Sequence, residues 1–198
     1  MPPATLTFAI TGASGSIFAA EALRLLAADT RVRHIDLVVS DAALRVLAEE
    51  LSLSGRNSLV ERLLGAASEK IQLHPDENIG ANIASGSYPS DAMLILPCSM
   101  GTLAGIAHGL ASSLIERAAD VTLKERRRLI LCVRETPFNL IHLRNMTQAA
   151  EAGATIYPIM PTFYNQPQTT AEMARAFVHR VLAHIGLSQP DAYHWQGD

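Results

Sequence analysis

The apolar runs in this chain are short and regularly interrupted, and most are followed at once by a loop containing Gly, Ser or Pro. Thr5–Ile10 and residues 92–96 and 129–133 read as strands buried on both faces, because their apolar residues are largely continuous rather than alternating, with His34–Val39 as a second strand and residues 154–158 as the last. Longer stretches with helical spacing lie between them. The first reaches about Ala28 and keeps Ile17, Ala20, Leu23, Leu25 and Leu26 roughly on one face; residues 42–51 form a second and residues 170–185 a last long one. Strands alternating with helices imply right-handed crossovers and a sheet covered on both sides. The expected fold is a three-layer, doubly wound parallel α/β sheet, Rossmann-like or flavodoxin-like. Residues 52–90 break the rhythm: a mixed helical stretch up to Lys70 runs into a polar, Gly-containing segment, read as a helix and a loop. With no repeat, low-complexity tract or linker, residues 1–198 are expected to form a single domain.

In such a sheet ligands bind beyond the carboxyl ends of the strands, so the loops at those ends carry the functional reading. Thr11-Gly12-Ala13-Ser14-Gly15-Ser16 follows the first strand and opens the first helix. Free N–H groups at a helix start favour a phosphate, and Ser14 and Ser16 add hydroxyls, although a Gly-rich turn also serves simply to join strand to helix. Only two glycines are present, so the turn is not a dinucleotide fingerprint. Ser40 ends the second strand, where it either reaches the same ligand or caps the next helix. Pro97-Cys98-Ser99-Met100-Gly101-Thr102 places a second hydroxyl-bearing loop at the same edge, suited to a planar heterocycle or its phosphate.

The net charge is −3 with a pI near 6.1, so no basic excess argues for nucleic acid or an anionic membrane. Phosphate binding must therefore rest on a few placed cations. Arg117 and Lys124, seven residues apart, share one face of a continuous helix, with Asp120 between them as a competing ion-pair partner. Arg126, Arg127 and Arg128 read as a solvated face. Arg134-Glu135-Thr136-Pro137 comes directly after a buried strand. There an Arg offers a forked donor to phosphate and a neighbouring Glu can donate a proton, unless the two simply pair to fix the loop. The Pro-rich segment 158–167 presents Phe163 as an apolar wall and Tyr164 as a phosphate donor, or as partly buried structure.

A mean hydropathy of +0.16 suggests that partner subunits cover part of the surface. The two cysteines, Cys98 and Cys132, fall in strand runs and are expected to be reduced core thiols, neither disulfide nor metal ligands. The N-terminal residues lack the pattern of a signal peptide and the first apolar run is too short to span a bilayer, so a cytoplasmic location is expected.

In this order, the Thr11 to Gly15 turn, the Pro97 to Thr102 loop, Arg117-Ala-Ala-Asp-Val-x-Leu-Lys124-Glu125-Arg126, Arg134-Glu135-Thr136-Pro137 and Pro161-x-Phe-Tyr164-x-x-Pro167 resemble the UbiX-like flavin prenyltransferases. The resemblance runs from Ile10 to Trp195 and is weakest over residues 52–80. It implies a metal-independent transferase that joins dimethylallyl phosphate to reduced FMN, forming bonds at flavin N5 and C6. The product would serve a UbiD-like decarboxylase, and the enzyme would be a homododecamer with sites at subunit junctions, the tail 186–198 packing on a neighbour. Gly12, Ala13, Ser14, Ser40, Ser99, Met100, Thr102 and Arg134 are implied as flavin contacts. Arg117, Lys124, Arg134, Glu135, Tyr164, Arg180 and Trp195 are implied at the prenyl phosphate, with Tyr88 as the aromatic shielding flavin and prenyl group. Glu135 is the candidate for protonating the leaving phosphate, Lys124 helps to stabilise its charge, and Ser14 and Glu50 relay protons. Val133 stands where the family usually has Pro. The competing expectations are an FMN-dependent decarboxylase of the cysteine-decarboxylase group and a non-catalytic FMN carrier. The first is disfavoured because the first helix carries no His.

Overall fold

The computed structural model describes residues 2–193. Six strands form one sheet: β1 (Thr5–Ile10), β2 (His34–Val39), β3 (Ile71–Pro75), β4 (Ala92–Cys98), β5 (Arg128–Val133) and β6 (Thr155–Ile156). All neighbours are parallel and the spatial order is β3-β2-β1-β4-β5-β6. The helices are α1 (Ser16–Ala28), α2 (Asp41–Leu51), α3 (Leu59–Leu64), α4 (Met100–Ala107), α5 (Leu114–Lys124), α6 (Leu140–Glu151) and α7 (Thr170–His184).

The apolar runs explain the layers. Phe8, Ile10, Leu37, Leu94, Leu96 and Cys132 face one side, where they pack with α1, α2, α3 and α7. Ala9, Val38, Met93, Ile95, Leu131 and Val133 face the other, against α4, α5 and α6. Successive strand residues thus feed opposite cores, which is why the runs are continuous. Both cysteines are free and buried, and burial pushes the Cys98 thiol up to about 12, leaving it an inert core group.

The segment read as helix and loop contains a strand. β3 is an edge strand: Ile71 and Leu73 pack against the α1 side, Gln72 is exposed, and Pro75 needs no ladder hydrogen bond there. An edge strand need not be apolar throughout, so no continuous run announced it. Arg126 and Arg128 are exposed, as a solvated face would be, while Arg127 is half-buried; Arg127 Nη2 donates to the Gly86 carbonyl and Arg128 Nη1 to that of Ile185. Among the described residues no helix is long and apolar enough to cross a membrane.

Candidate active site

The strand order reverses between β1 and β4, and the crevice of a doubly wound sheet opens beyond that point. Thr11, 1% exposed, ties the two strand tips together. Its N–H and hydroxyl both donate to the Pro97 carbonyl, at 3.2 and 2.8 Å, and its Oγ1 accepts from the Ser99 N–H at 2.8 Å. This role was hidden in the sequence because Pro97 lies 86 residues away. The only local signal was a hydroxyl on the last buried position before the turn.

Gly12 is required by packing, since a Cβ there would overlap the Ala42 side chain at the start of α2. Gly15 supplies a left-handed φ of 117° as the α1 N-cap. The N–H groups that the sequence offered to a phosphate are not free. Glu50, in the last turn of α2, accepts from the Gly15 N–H at 3.0 Å and from the Ser16 N–H at 2.7 Å. Burial pushes its carboxyl up, but hydrogen bonds from Ser14, Ser16 and Gly15 outweigh that effect and hold it below the ordinary Glu value. A phosphate at this helix end would have to displace a carboxylate already bound to the positive end of α1. Ser14 and Glu50, paired by the resemblance as a proton relay, are brought into hydrogen-bonding contact.

Around this end stand the other flavin candidates. Ser40 caps α2 through the Ala43 N–H at 3.1 Å, and Ser99 caps α4 through the Thr102 N–H at 3.3 Å while its Oγ lies 3.1 Å from Thr102 Oγ1. Met100 opens α4 and is half-buried against the second core. Arg134 leaves the tip of β5, its N–H bonded to the Cys98 carbonyl, and its guanidinium is exposed. Glu135 beside it is also exposed, its Oε1 accepting from the Thr136 N–H, and the ion pair between the two that was the competing reading is not formed. Hydroxyls at three strand tips and one exposed guanidinium form a donor set that fits a flat ligand carrying a phosphate.

The remaining candidates lie elsewhere in the chain. Lys124 ends α5 on the amino side of the sheet, where β5 begins at Arg128, and pairs with Glu125. The length of β5, roughly 20 Å at ~3.3 Å per residue, separates that edge from Arg134. Arg117 is on the same face of α5, paired with Asp120 at 2.7 Å as the competing reading foresaw. Tyr164 and Arg180 share a third location, a cavity of about 360 Å³ that Thr162 and Tyr193 also line. Tyr88 is not at the strand tips. It sits in the loop entering β4 at its amino end and donates its hydroxyl to Asp36, midway along β2, at 2.9 Å. Trp195 lies outside the described residues. No group of three or more His, Cys, Asp or Glu able to hold a metal occurs among the described residues.

The profile of the Flavoprotein family matches residues 1–185. A relative named flavin prenyltransferase UbiX from Salmonella typhimurium is 46% identical, covering 97% of this chain and 98% of its own length. The chain belongs to the UbiX-like flavin prenyltransferase family. Two solved structures agree with the fold over almost the whole chain. A dodecameric FMN-dependent UbiX-like decarboxylase from Escherichia coli superimposes with a TM-score of 0.87 at 39% identity, covering 98% of this chain and all of that one. AnUbiX, in complex with FMN and dimethylallyl pyrophosphate, gives 0.87 at 37% identity, covering 98% and 97%. Both of those proteins take FMN, a ligand of the kind the donor set of the crevice fits, and the family's chemistry is prenyl transfer to a flavin.

Proposed function

We propose that the chain joins dimethylallyl phosphate to reduced FMN and that its active site is completed between copies. The observation that carries this reading is the pair Arg134 and Glu135, two exposed charged side chains at the tip of a strand buried from Leu129 to Val133, beside the switch-point crevice. Nothing in packing calls for them there. The cations at Arg117 and Lys124 and the cavity of Tyr164 and Arg180 lie on other surfaces of the same chain, so a phosphate held by all of them must sit where copies meet. The E. coli relative is dodecameric, which supplies such junctions.

When bound, reduced FMN supplies the nucleophilic ring positions N5 and C6 that become joined to the prenyl carbons. Ser14, Ser40, Ser99, Thr102 and Arg134 would hold it, with Gly12, Ala13 and Met100 as the close backbone and wall. Arg134, Arg117, Lys124, Tyr164 and Arg180 would stabilise charge on the departing phosphate, the step that an allylic carbon most needs help with. Glu135 would protonate that phosphate. Glu50, held by three donors, would accept and return a proton through Ser14. The product suits a decarboxylase of the UbiD-like kind as recipient, and the chain's work is that of a cytoplasmic enzyme.

The test is anaerobic incubation with reduced FMN and dimethylallyl phosphate, followed by mass spectrometry of the released flavin. A gain of one five-carbon unit, lost in Arg134→Ala, is expected. Unmodified FMN with both the phosphate and the pyrophosphate would overturn the reading and return the decarboxylase and carrier functions to the front.

A further inference from the structure

The proposed chemistry leaves one buried polar cluster unused, and it lies beside α5. Asp36, 1% exposed in the middle of β2, meets His74 Nε2 from β3 at 2.8 Å and His34 Nε2 from its own strand at 3.3 Å. Its other oxygen accepts the Tyr88 hydroxyl. Burial raises the Asp36 carboxyl, but the bonds from His74 and Tyr88 and the nearby His34 outweigh it and keep the group below its ordinary value. A buried carboxylate is tolerated only when so paired, and it holds its partners in turn. Of the three partners, only Tyr88 belongs to a loop.

That loop contacts both cations of α5. The Tyr88 N–H closes a turn onto the Ser85 carbonyl at 3.2 Å. Just upstream, the Ala84 carbonyl accepts from Arg117 Nε at 3.1 Å, while Asp120 takes Arg117 Nη1. Two edges of the guanidinium fork are thereby fixed, and Nη2 makes no hydrogen bond within the described residues, leaving it available to a phosphate oxygen. The Gly86 carbonyl accepts from Arg127 Nη2 at 2.7 Å. Gly86 also lies so close to the end of α5 that a Cβ would stand 2.6 Å from Lys124 Nζ and overlap the Glu125 carboxylate.

We propose that Tyr88 is a positioning residue for the phosphate-binding cations: its hydroxyl, anchored on Asp36, sets the height of residues 84–88, whose backbone aims Arg117 and confines Lys124. The inference rests on the reading of Arg117 and Lys124 as ligands of the prenyl phosphate, and gives Tyr88 a task other than shielding flavin. Misplacing a phosphate clamp by an ångström is costly, so the anchor is worth its buried charge.

The experiment is calorimetric titration of the full oligomer with dimethylallyl phosphate and, separately, with FMN. Tyr88→Phe keeps the ring and removes only the hydroxyl. The expected result is a dimethylallyl phosphate Kd weakened about tenfold with the FMN Kd unchanged, and no added penalty when Tyr88→Phe is placed in an Arg117→Ala background. Gly86→Ala, whose new methyl displaces only the ends of flexible side chains, is expected to weaken the same ligand. Unchanged affinity in both variants, penalties that multiply in the double variant, or a wild-type protein that binds no dimethylallyl phosphate would each overturn the inference. A wild-type protein that binds the phosphate but transfers nothing to flavin would sink the proposed function alone, and the same titrations would still decide the role of Tyr88.

Discussion

At the scale of single residues, the two glutamates of the site stand in opposite circumstances. Glu135 is exposed and held only by its neighbour's N–H, free to meet a ligand. Replacing it by Gln is expected to lower kcat by roughly 10²-fold or more, the usual worth of a general acid, with little change in FMN binding by fluorescence quenching. Glu50 is held by backbone and hydroxyl donors that favour its charged form. Its native value lies below the unfolded one, so its contribution to stability is complete above the ordinary Glu range and disappears as pH falls through the native value. The gap in Tm between wild type and Glu50→Gln should therefore be widest near neutrality and close once the pH is well below about 4. Thermal melts across pH check this, and a gap that widened in acid would contradict it. The candidate residues were legible because a charged pair is uncommon at the tip of a buried strand and because the hydroxyl-bearing loops recur at the same edge of the sheet. Asp36, the one charge inside a strand run, was passed over, because the partners that give it a role reach it only in the fold.

At the scale of elements, the crevice exists because β1 and β4 are locked tip to tip. Thr11→Val removes the hydroxyl that serves both Pro97 and Ser99 and leaves the part-buried Ser99 N–H without its acceptor, at a cost of about 1–3 kcal/mol. The urea midpoint should drop while the m-value is kept. Gly12→Ala forces a methyl into Ala42 and pushes α2 from β1, which is expected to cost about 1–3 kcal/mol by overpacking and to move Glu50 from the end of α1. Denaturation curves measure the first effect, and weaker FMN binding the second. The central strands and the helices α1, α2 and α7 were readable from periodicity, because both faces of those strands are buried, whereas α6 went unread. β3 was not readable either, since an edge strand satisfies its core with Ile71 and Leu73 alone.

At the scale of the whole molecule, the candidate residues occupy three surfaces of one chain, so a site that used all of them would have to form between copies. Co-expression of Arg134→Ala with Arg117→Ala should yield oligomers with measurable turnover, because some junctions receive both intact residues, whereas each variant alone stays inactive. No recovery in mixed oligomers would place all the ligands within a single chain. Exposed Phe163, Tyr164 and Tyr193 fit a surface that neighbours cover.

The alternation of apolar runs and helical spacing determined by itself the parallel sheet, and the hydroxyls and charges in the loops at the strand ends marked the edge and the residues put forward as candidates. These follow from local periodicity and from the rule that ligands gather at carboxyl ends. Tertiary structure alone decided which donors are already taken. Glu50 fills the start of α1 from 35 positions away, and Asp36 claims the Tyr88 hydroxyl across 52. Hydrogen bonds are satisfied by proximity in space, and spacing along the chain does not reveal a partner brought near only when the sheet closes.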